Sequence, residues 1–275
     1  MTSFRTRFAP SPTGALHLGH ALSACLVRRA ADGAGGEALL RIEDVDITRC
    51  RPEFESAIHD DLAWLGLSWD GVLRRQSEHF DAYLSVVSDL RDRGLVYRCF
   101  RSRQELAAQF PDGVVRSSAL TPTEEKARLA DGAPFAWRLS LDAAKAEMGA
   151  LFFSSLTFQV EEDGTLETVT AVPERHGDIA LTRKDSPAAY HLAATHDDAL
   201  QGITHIVRGM DLADAPHIQV LLQAIMDWPR PIYRHHRLLL GPDGKRLSKS
   251  DRSKSLAALR AEGLSPEDVF ALAGL

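Results

Sequence analysis

The chain has 275 residues, 44% hydrophobic and 25% charged, with a formal net charge of −6. That balance suits a globular protein with a real core, in one large domain or two modest ones, and it lacks the whole-surface basic field of a non-specific nucleic-acid binder. No apolar run approaches the ~18 residues of a membrane span, and Met1-Thr2-Ser3-Phe4-Arg5 lacks the charged head and apolar run of a secretory signal. Cys25, Cys50 and Cys99 are odd in number and widely spaced, so they do not read as a disulfide framework and a cytoplasmic, reducing setting is expected.

Arg5 to Ala9 reads as a short strand, and Pro10-Ser11-Pro12-Thr13-Gly14 must turn. A helix is expected to open near His17, burying Leu18, Leu22, Cys25 and Leu26, with Arg28-Arg29 near its end and Gly33 to Gly36 breaking it. Ala38 to Ile42 is a buried strand running into the acidic turn Glu43-Asp44-Val45-Asp46. Phe80, Tyr83, Leu84, Val87 and Leu90 form a helical stripe closed by Gly94. From Val96 to Glu174 short helices mix with β-type runs such as Leu156 to Val160, which reads as an inserted subdomain. Strand signals resume at Asp178 to Leu181, Ala189 to Ala193 and Ile203 to Val207. A helix over Ala215 to Trp228 and a strand at Arg237 to Leu240 follow, and Ser265-Pro266-Glu267-Asp268 starts a last helix. The sum is an α/β sheet interrupted by an insertion.

Two motifs carry chemistry. In the first, a strand and tight turn deliver His17-Leu18-Gly19-His20 to a helix start. Free backbone N–H groups there favour an anion, imidazoles three residues apart share one helical face, and Gly19 lets a ligand approach the backbone. In the second, Arg246-Leu247-Ser248-Lys249-Ser250 forms a basic stretch in which Lys249 supplies a point charge for a phosphate whose negative charge builds in a transition state. Either motif alone also fits capping histidines or solvated surface, as do the basic clusters Arg28-Arg29, Arg234 to Arg237 and Lys245 to Lys254; the pairing is what makes the signal specific.

The pair resembles the signatures of class I aminoacyl-tRNA synthetases. The lead-in Arg7-Phe8-Ala9-Pro10-Ser11-Pro12-Thr13-Gly14 is similar to that of the glutamate branch, as are Arg41-Ile42-Glu43-Asp44-Val45-Asp46, Gly177-Asp178-Ile179 and Tyr190-His191-Leu192-Ala193. Asp197-Asp198 and His205-Ile206-Val207-Arg208-Gly209 match too, so the resemblance covers nearly the whole chain. It implies a Rossmann-type catalytic domain at 1–95 and 175–240, an acceptor-binding insertion of α+β type at 96–174, and a loop with a short helical segment at 241–275. Full glutamyl-tRNA synthetases continue into an anticodon-binding region, whereas this sequence ends 25 residues after Ser250. In that it resembles the glutamyl-queuosine tRNA(Asp) synthetases, which attach glutamate to the modified base queuosine.

That resemblance implies a monomer that activates L-glutamate with ATP and Mg²⁺, without tRNA, and transfers it to queuosine of tRNA(Asp). The alternatives are a shortened glutamyl-tRNA synthetase charging tRNA(Glu) and a non-catalytic nucleotide or glutamate sensor. Pro10, His17, Leu18, Gly19 and His20 form the first motif; His17, Gly19, His20 and Lys249 are expected at ATP, with His17, His20 and Lys249 catalytic. Arg7 and Arg208 suit the carboxylates of glutamate, Glu43 its ammonium, and Ser11 and Tyr190 neutral hydrogen bonds. Which arginine holds which carboxylate stays open, and so do an Arg7–Glu43 ion pair, a core role for Tyr190 and a surface role for Arg208. The Asp197-Asp198 pair reads as a solvated or helix-capping turn rather than a metal site. Relatives often carry a zinc site in the insertion, but after Tyr97 only Cys99 remains, so zinc is expected to be absent and the metal set empty. Met210 stands where the branch carries an acid and Ala194 where it often has Asn, two changes that could retune the substrate pocket.

Overall fold

A computed structural model describes residues 3–239 and 254–275. In chain order the elements are β1 (Arg5–Phe8), α1 (Leu18–Gly33), β2 (Glu37–Ile42), α2 (Pro52–Trp64), β3 (Asp70–Arg75), α3 (Phe80–Asp92), β4 (Val96–Cys99), α4 (Arg103–Gln109), α5 (Pro122–Ala130) and β5 (Ala136–Leu139). There follow α6 (Leu141–Met148), α7 (Leu151–Ser154), β6 (Thr157–Glu162), β7 (Thr165–Thr170), α8 (Tyr190–Leu200), β8 (His205–Gly209), α9 (Pro216–Ile225), β9 (Ile232–His236), α10 (Leu256–Ala261) and α11 (Pro266–Leu272).

The strands β1, β2 and β3 pair in parallel, as do β8, β9 and β6, with β7 antiparallel on β6. The two groups meet where the Thr204 amide donates to the Arg5 carbonyl at 2.9 Å and the Arg5 amide donates to Thr204 Oγ1 at 2.8 Å. The spatial order is therefore β3-β2-β1-β8-β9-β6-β7. The order in which successive strands are added reverses between β1 and β8, and the crevice beyond the carboxyl ends of such a pair is where an open α/β sheet holds ligands.

Alternation along β2 shows why the sheet needs helices on both faces. Ala38, Leu40 and Ile42 pack with α1, α2, α10 and α11, while Leu39 joins α3, α8 and α9 on the other side. Arg41 shares the Leu39 face and is fully buried, so a charge has to be answered from that layer.

Three expected elements differ. Ala189 to Ala193 is the start of helix α8, not a strand. A short apolar run cannot separate the two, and the helical stripe here continues through Asp197 and Asp198, whose charge hides the periodicity. The strand expected at Arg237 to Leu240 lies earlier, at Ile232–His236, where Arg and two His disguise it. Asp178 to Leu181 makes only isolated bridges: Gly177 pairs with Val115 and Ala180 with Arg138. Gly177 has φ +63°, and any side chain there would collide with the Val115 carbonyl.

The insertion expected at 96–174 is not self-contained. Its strands β4 and β5 pair with each other, but β6 is hydrogen-bonded to β9 through Gln159–Ile232 and Val160–Tyr233. No helix among the described residues is long and apolar enough to cross a membrane.

Candidate active site

Beyond the carboxyl ends of β1, β2, β8 and β9 lies a cleft of about 230 Å³. Arg7, Pro10, Ser11, His17, Gly19, His20, Glu43, Tyr190 and Arg208 all line it, so the fold gathers the sequence-predicted residues from five separate stretches. The predicted residues Arg246, Leu247, Ser248, Lys249 and Ser250 lie outside the described residues. Ser255 and Leu256 lie against the entry to α1: Ser255 bridges His17, and the Leu256 amide donates to the Leu16 carbonyl at 2.9 Å.

At the start of α1 the two imidazoles build a capping box between themselves. His17 Nδ1 accepts from the Gly19 amide and His20 Nδ1 from the His17 amide, each at 3.1 Å. The expectation that open backbone N–H groups here would meet an anion changes accordingly, because these two are spent on the rings. The rings gain what the backbone loses. With Nδ1 accepting, the proton of each neutral ring sits on Nε2, which makes Nε2–H the donor end. The ring centroids lie 3.9 Å apart. A Cβ on Gly19 would meet the His17 ring at 3.1 Å, so this glycine also makes room for the imidazole.

The charged floor of the cleft rests on α8. Asp197 and Asp198 are buried, not solvated, which corrects the sequence expectation: helix α8 turns both toward the sheet. Arg7 donates to both oxygens of Asp198, at 2.9 and 3.3 Å, and Arg41 donates to Asp198 at 2.8 Å and to Glu43 at 3.0 Å. Arg74 pairs with Asp197 at 2.9 Å, and Tyr83 donates to it at 2.8 Å. Arg7 is thus paired with Asp198 rather than with Glu43. Three arginines face three carboxylates, and the group is neutral.

Titration directions follow. Burial raises Asp198, but Arg41 and Arg7 more than offset it and hold its carboxyl below the ordinary range. Burial raises Glu43 above the ordinary range despite Arg41 and Arg7. Burial likewise raises the Tyr190 hydroxyl.

Arg208 is different. It is only 4% exposed, yet among the described residues its guanidinium meets no carboxylate. It donates to Gln219 Oε1 from both terminal nitrogens at 3.3 Å, to the Tyr190 hydroxyl at 3.4 Å and to His235 Nε2 at 3.5 Å. Its charge also lies 5.1 Å from the centre of the Tyr233 ring. Arg208 is therefore not a surface residue, and among the described residues it joins no ion pair; Tyr190 lines the cleft instead of filling the core. Sequence reasoning missed Asp198, Arg41, Gln219 and His235. Only Arg41 and Asp198 left a signal, as charges inside otherwise buried runs.

Ser11 Oγ lies 3.8 Å from Cys50 Sγ at the cleft wall. Met210 and Ala194, the two departures noted in the sequence, do not line the cleft; Met210 is half exposed and Ala194 is buried in α8. In the insertion Cys99 is buried and accepts from the Ser118 hydroxyl at 3.7 Å, while Tyr97 donates to Asp178 at 2.8 Å. Among the described residues no group of three or more His, Cys, Asp or Glu is placed to hold a metal ion.

A parallel sheet split between β1 and β8, with paired imidazoles at the first helix start and a charged pocket beside them, is the arrangement of a nucleotide-using class I synthetase. The chain belongs to the family described as tRNA synthetases class I (E and Q), catalytic domain, whose model matches residues 3–275. It is an ATP-dependent ligase of the aminoacyl-tRNA synthetase type. The chain is 42% identical to a glutamyl-Q tRNA(Asp) synthetase of Rhodobacter capsulatus, over 98% of this chain and 99% of that one. It is 38% identical to a glutamyl-Q tRNA(Asp) synthetase of Symbiobacterium thermophilum, over 96% of this chain and 83% of that one. A solved glutamate tRNA ligase from Elizabethkingia meningosepticum, in complex with its amino acid, superposes with a TM-score of 0.75 at 27% identity; the match covers 99% of this chain and 60% of the ligase.

Proposed function

We propose that this enzyme activates L-glutamate with Mg²⁺-ATP, without help from tRNA, and then transfers the glutamyl group to queuosine of tRNA(Asp). The observation that carries the glutamate half is Arg208, a buried cation that meets no carboxylate among the described residues, in one cleft with Glu43, whose partner Arg41 is shared with Asp198. A buried unpaired charge is costly and calls for a counter-ion. Arg208 takes one carboxylate of glutamate, Glu43 takes the ammonium, and Ser11 and Tyr190 add neutral bonds. Arg7, already held by Asp198, adds a spare N–H to the same ligand.

The α-carboxylate oxygen attacks the α-phosphorus of ATP. The new acyl–phosphate bond forms as the bond to the β-phosphate breaks, and pyrophosphate leaves with Mg²⁺. The Nε2–H ends of His17 and His20 stabilise charge building on the phosphates, together with Lys249. A nucleophilic group of the acceptor then displaces AMP. Support for the queuosine acceptor is the whole-length likeness to two glutamyl-Q tRNA(Asp) synthetases. The division into a catalytic domain and an acceptor-binding insertion belongs to the same reading.

Pyrophosphate exchange with glutamate, ATP and Mg²⁺ but no tRNA tests the first step. Transfer of labelled glutamate to tRNA(Asp) with and without queuosine tests the second. Exchange in the absence of tRNA and labelling of only the queuosine form are expected. Exchange that strictly requires tRNA(Glu) would move the enzyme to the glutamate–tRNA ligases, to which it is 34–35% identical.

A further inference from the structure

We propose that the neutrality of Gln219 and His235 preserves the preference for glutamate over glutamine: they orient the Arg208 fork with uncharged acceptors, so that its charge stays uncompensated until the substrate arrives. The inference rests on the glutamate reading above and deepens it. Neither residue lines the cleft; both act through Arg208 and are positioning residues.

The geometry gives the reason. A guanidinium has five N–H donors. Four contacts engage them here: two to Gln219 Oε1, one to Tyr190 and one to His235 Nε2. All four are long, at 3.3 to 3.5 Å, against 2.8 to 2.9 Å for the best bonds of Arg7 and Arg41 to Asp198. They orient the fork without satisfying it, and a carboxylate offering charge-assisted bonds outcompetes them. Gln219 is 1% exposed, and its amide oxygen must face Arg208 because both terminal nitrogens converge on it. Its own amide nitrogen has no partner among the described residues, so the site tolerates an orphaned donor to keep a neutral acceptor there. Ring Nε2 of His235 must be unprotonated to accept from Arg208. Burial and the Arg208 charge lower its pKa to about 4, which keeps the ring neutral in use.

The consequence is selective. The α-carboxylate is left to react, so Arg208 takes the side-chain end: there glutamate brings a carboxylate that completes the charge, and glutamine an amide that leaves it uncompensated. A carboxylate built into the protein at either position would fill Arg208 beforehand. Gln219→Glu is close to isosteric and does so, and His235→Asp does so from the other side.

The test measures glutamate-dependent and glutamine-dependent pyrophosphate exchange, with KM and kcat separated, alongside thermal melting. For Gln219→Glu the expected result is a glutamate KM raised about a hundredfold, as for loss of a charge-assisted bond. The KM for ATP is unchanged, the glutamate-to-glutamine ratio of kcat/KM collapses, and the melting temperature is equal or higher. Gln219→Met, which removes the acceptor but adds no charge, is expected to raise the glutamate KM by less than about tenfold and to keep the preference. If Gln219→Glu does not fold, His235→Asp carries the same expectations. A wild-type glutamate KM in the carboxylate variants, or equal damage from Gln219→Met and Gln219→Glu, overturns the proposal. A wild-type enzyme with no glutamate-dependent exchange sinks the function itself and this inference with it, whereas normal wild-type exchange with indifferent variants sinks this inference alone.

Discussion

Arg7 and Arg208 line one cleft and sit in opposite surroundings. Arg7 lies in a closed account of charge, paired with Asp198, which Arg41 also holds. Arg208 is just as buried but is surrounded by an amide, a phenol, an imidazole and an aromatic face. The difference separates two jobs that composition alone cannot distinguish. On the proposed reading Arg7 mainly secures the pocket floor, and Arg208 is kept for the ligand.

Mutation should pull these jobs apart. Arg208→Met should lower kcat/KM for glutamate by about a thousandfold, the loss of a buried charged contact worth ~4 kcal/mol. Its stability to urea should be equal or higher, because the variant removes a buried cation that meets no carboxylate among the described residues. Arg7→Met should do the reverse in the unfolding experiment and destabilise by about 3 kcal/mol, the low end for breaking a buried pair, since Arg41 stays on Asp198. A loss of stability in the first variant, or none in the second, would erase the contrast.

His20→Ala probes the phosphate side. It should lower kcat by about a hundredfold, as for one lost donor to a developing charge, while leaving the glutamate KM alone. Smaller effects come from pH. Asp198 is depressed in the folded state, so its stabilisation is present above the ordinary carboxylate range of about 4 and is lost as pH falls through the folded value. Asp198→Asn should flatten that acid limb in urea titrations. His235 is held near 4 against an unfolded value of about 6.5, so the unfolded chain takes its proton first and stability falls as pH drops through that window. An NMR titration of the ring with a midpoint near 6.5 would contradict the neutral cradle.

Much of this was legible in the sequence. The strand–turn–helix that presents His17 and His20, the buried strand before Glu43 and the cleft positions of Arg7, Ser11, Tyr190 and Arg208 all follow from local patterns and resemblance. What stayed hidden is what depends on long-range pairing. Asp197 and Asp198 look like solvent-facing acids until α8 turns them onto Arg74, Arg41 and Arg7. Gln219 sits in an apolar helix as an unremarkable polar residue until β8 brings Arg208 beside it. The capping use of both imidazoles was open in the sequence only as an alternative to phosphate binding, since caps are usually Ser, Thr, Asp or Asn and nothing in the composition favours ring nitrogens there.

The pairing of β6 with β9 also limits how this protein can be taken apart. Residues 96–174 look like a removable block, but excising them would strip β6 from β9 and leave a flank of unpaired backbone N–H and C=O groups next to the strand that carries His235. Bare flanks of that kind recruit other chains, so the shortened protein would tend to aggregate instead of yielding a minimal catalytic core.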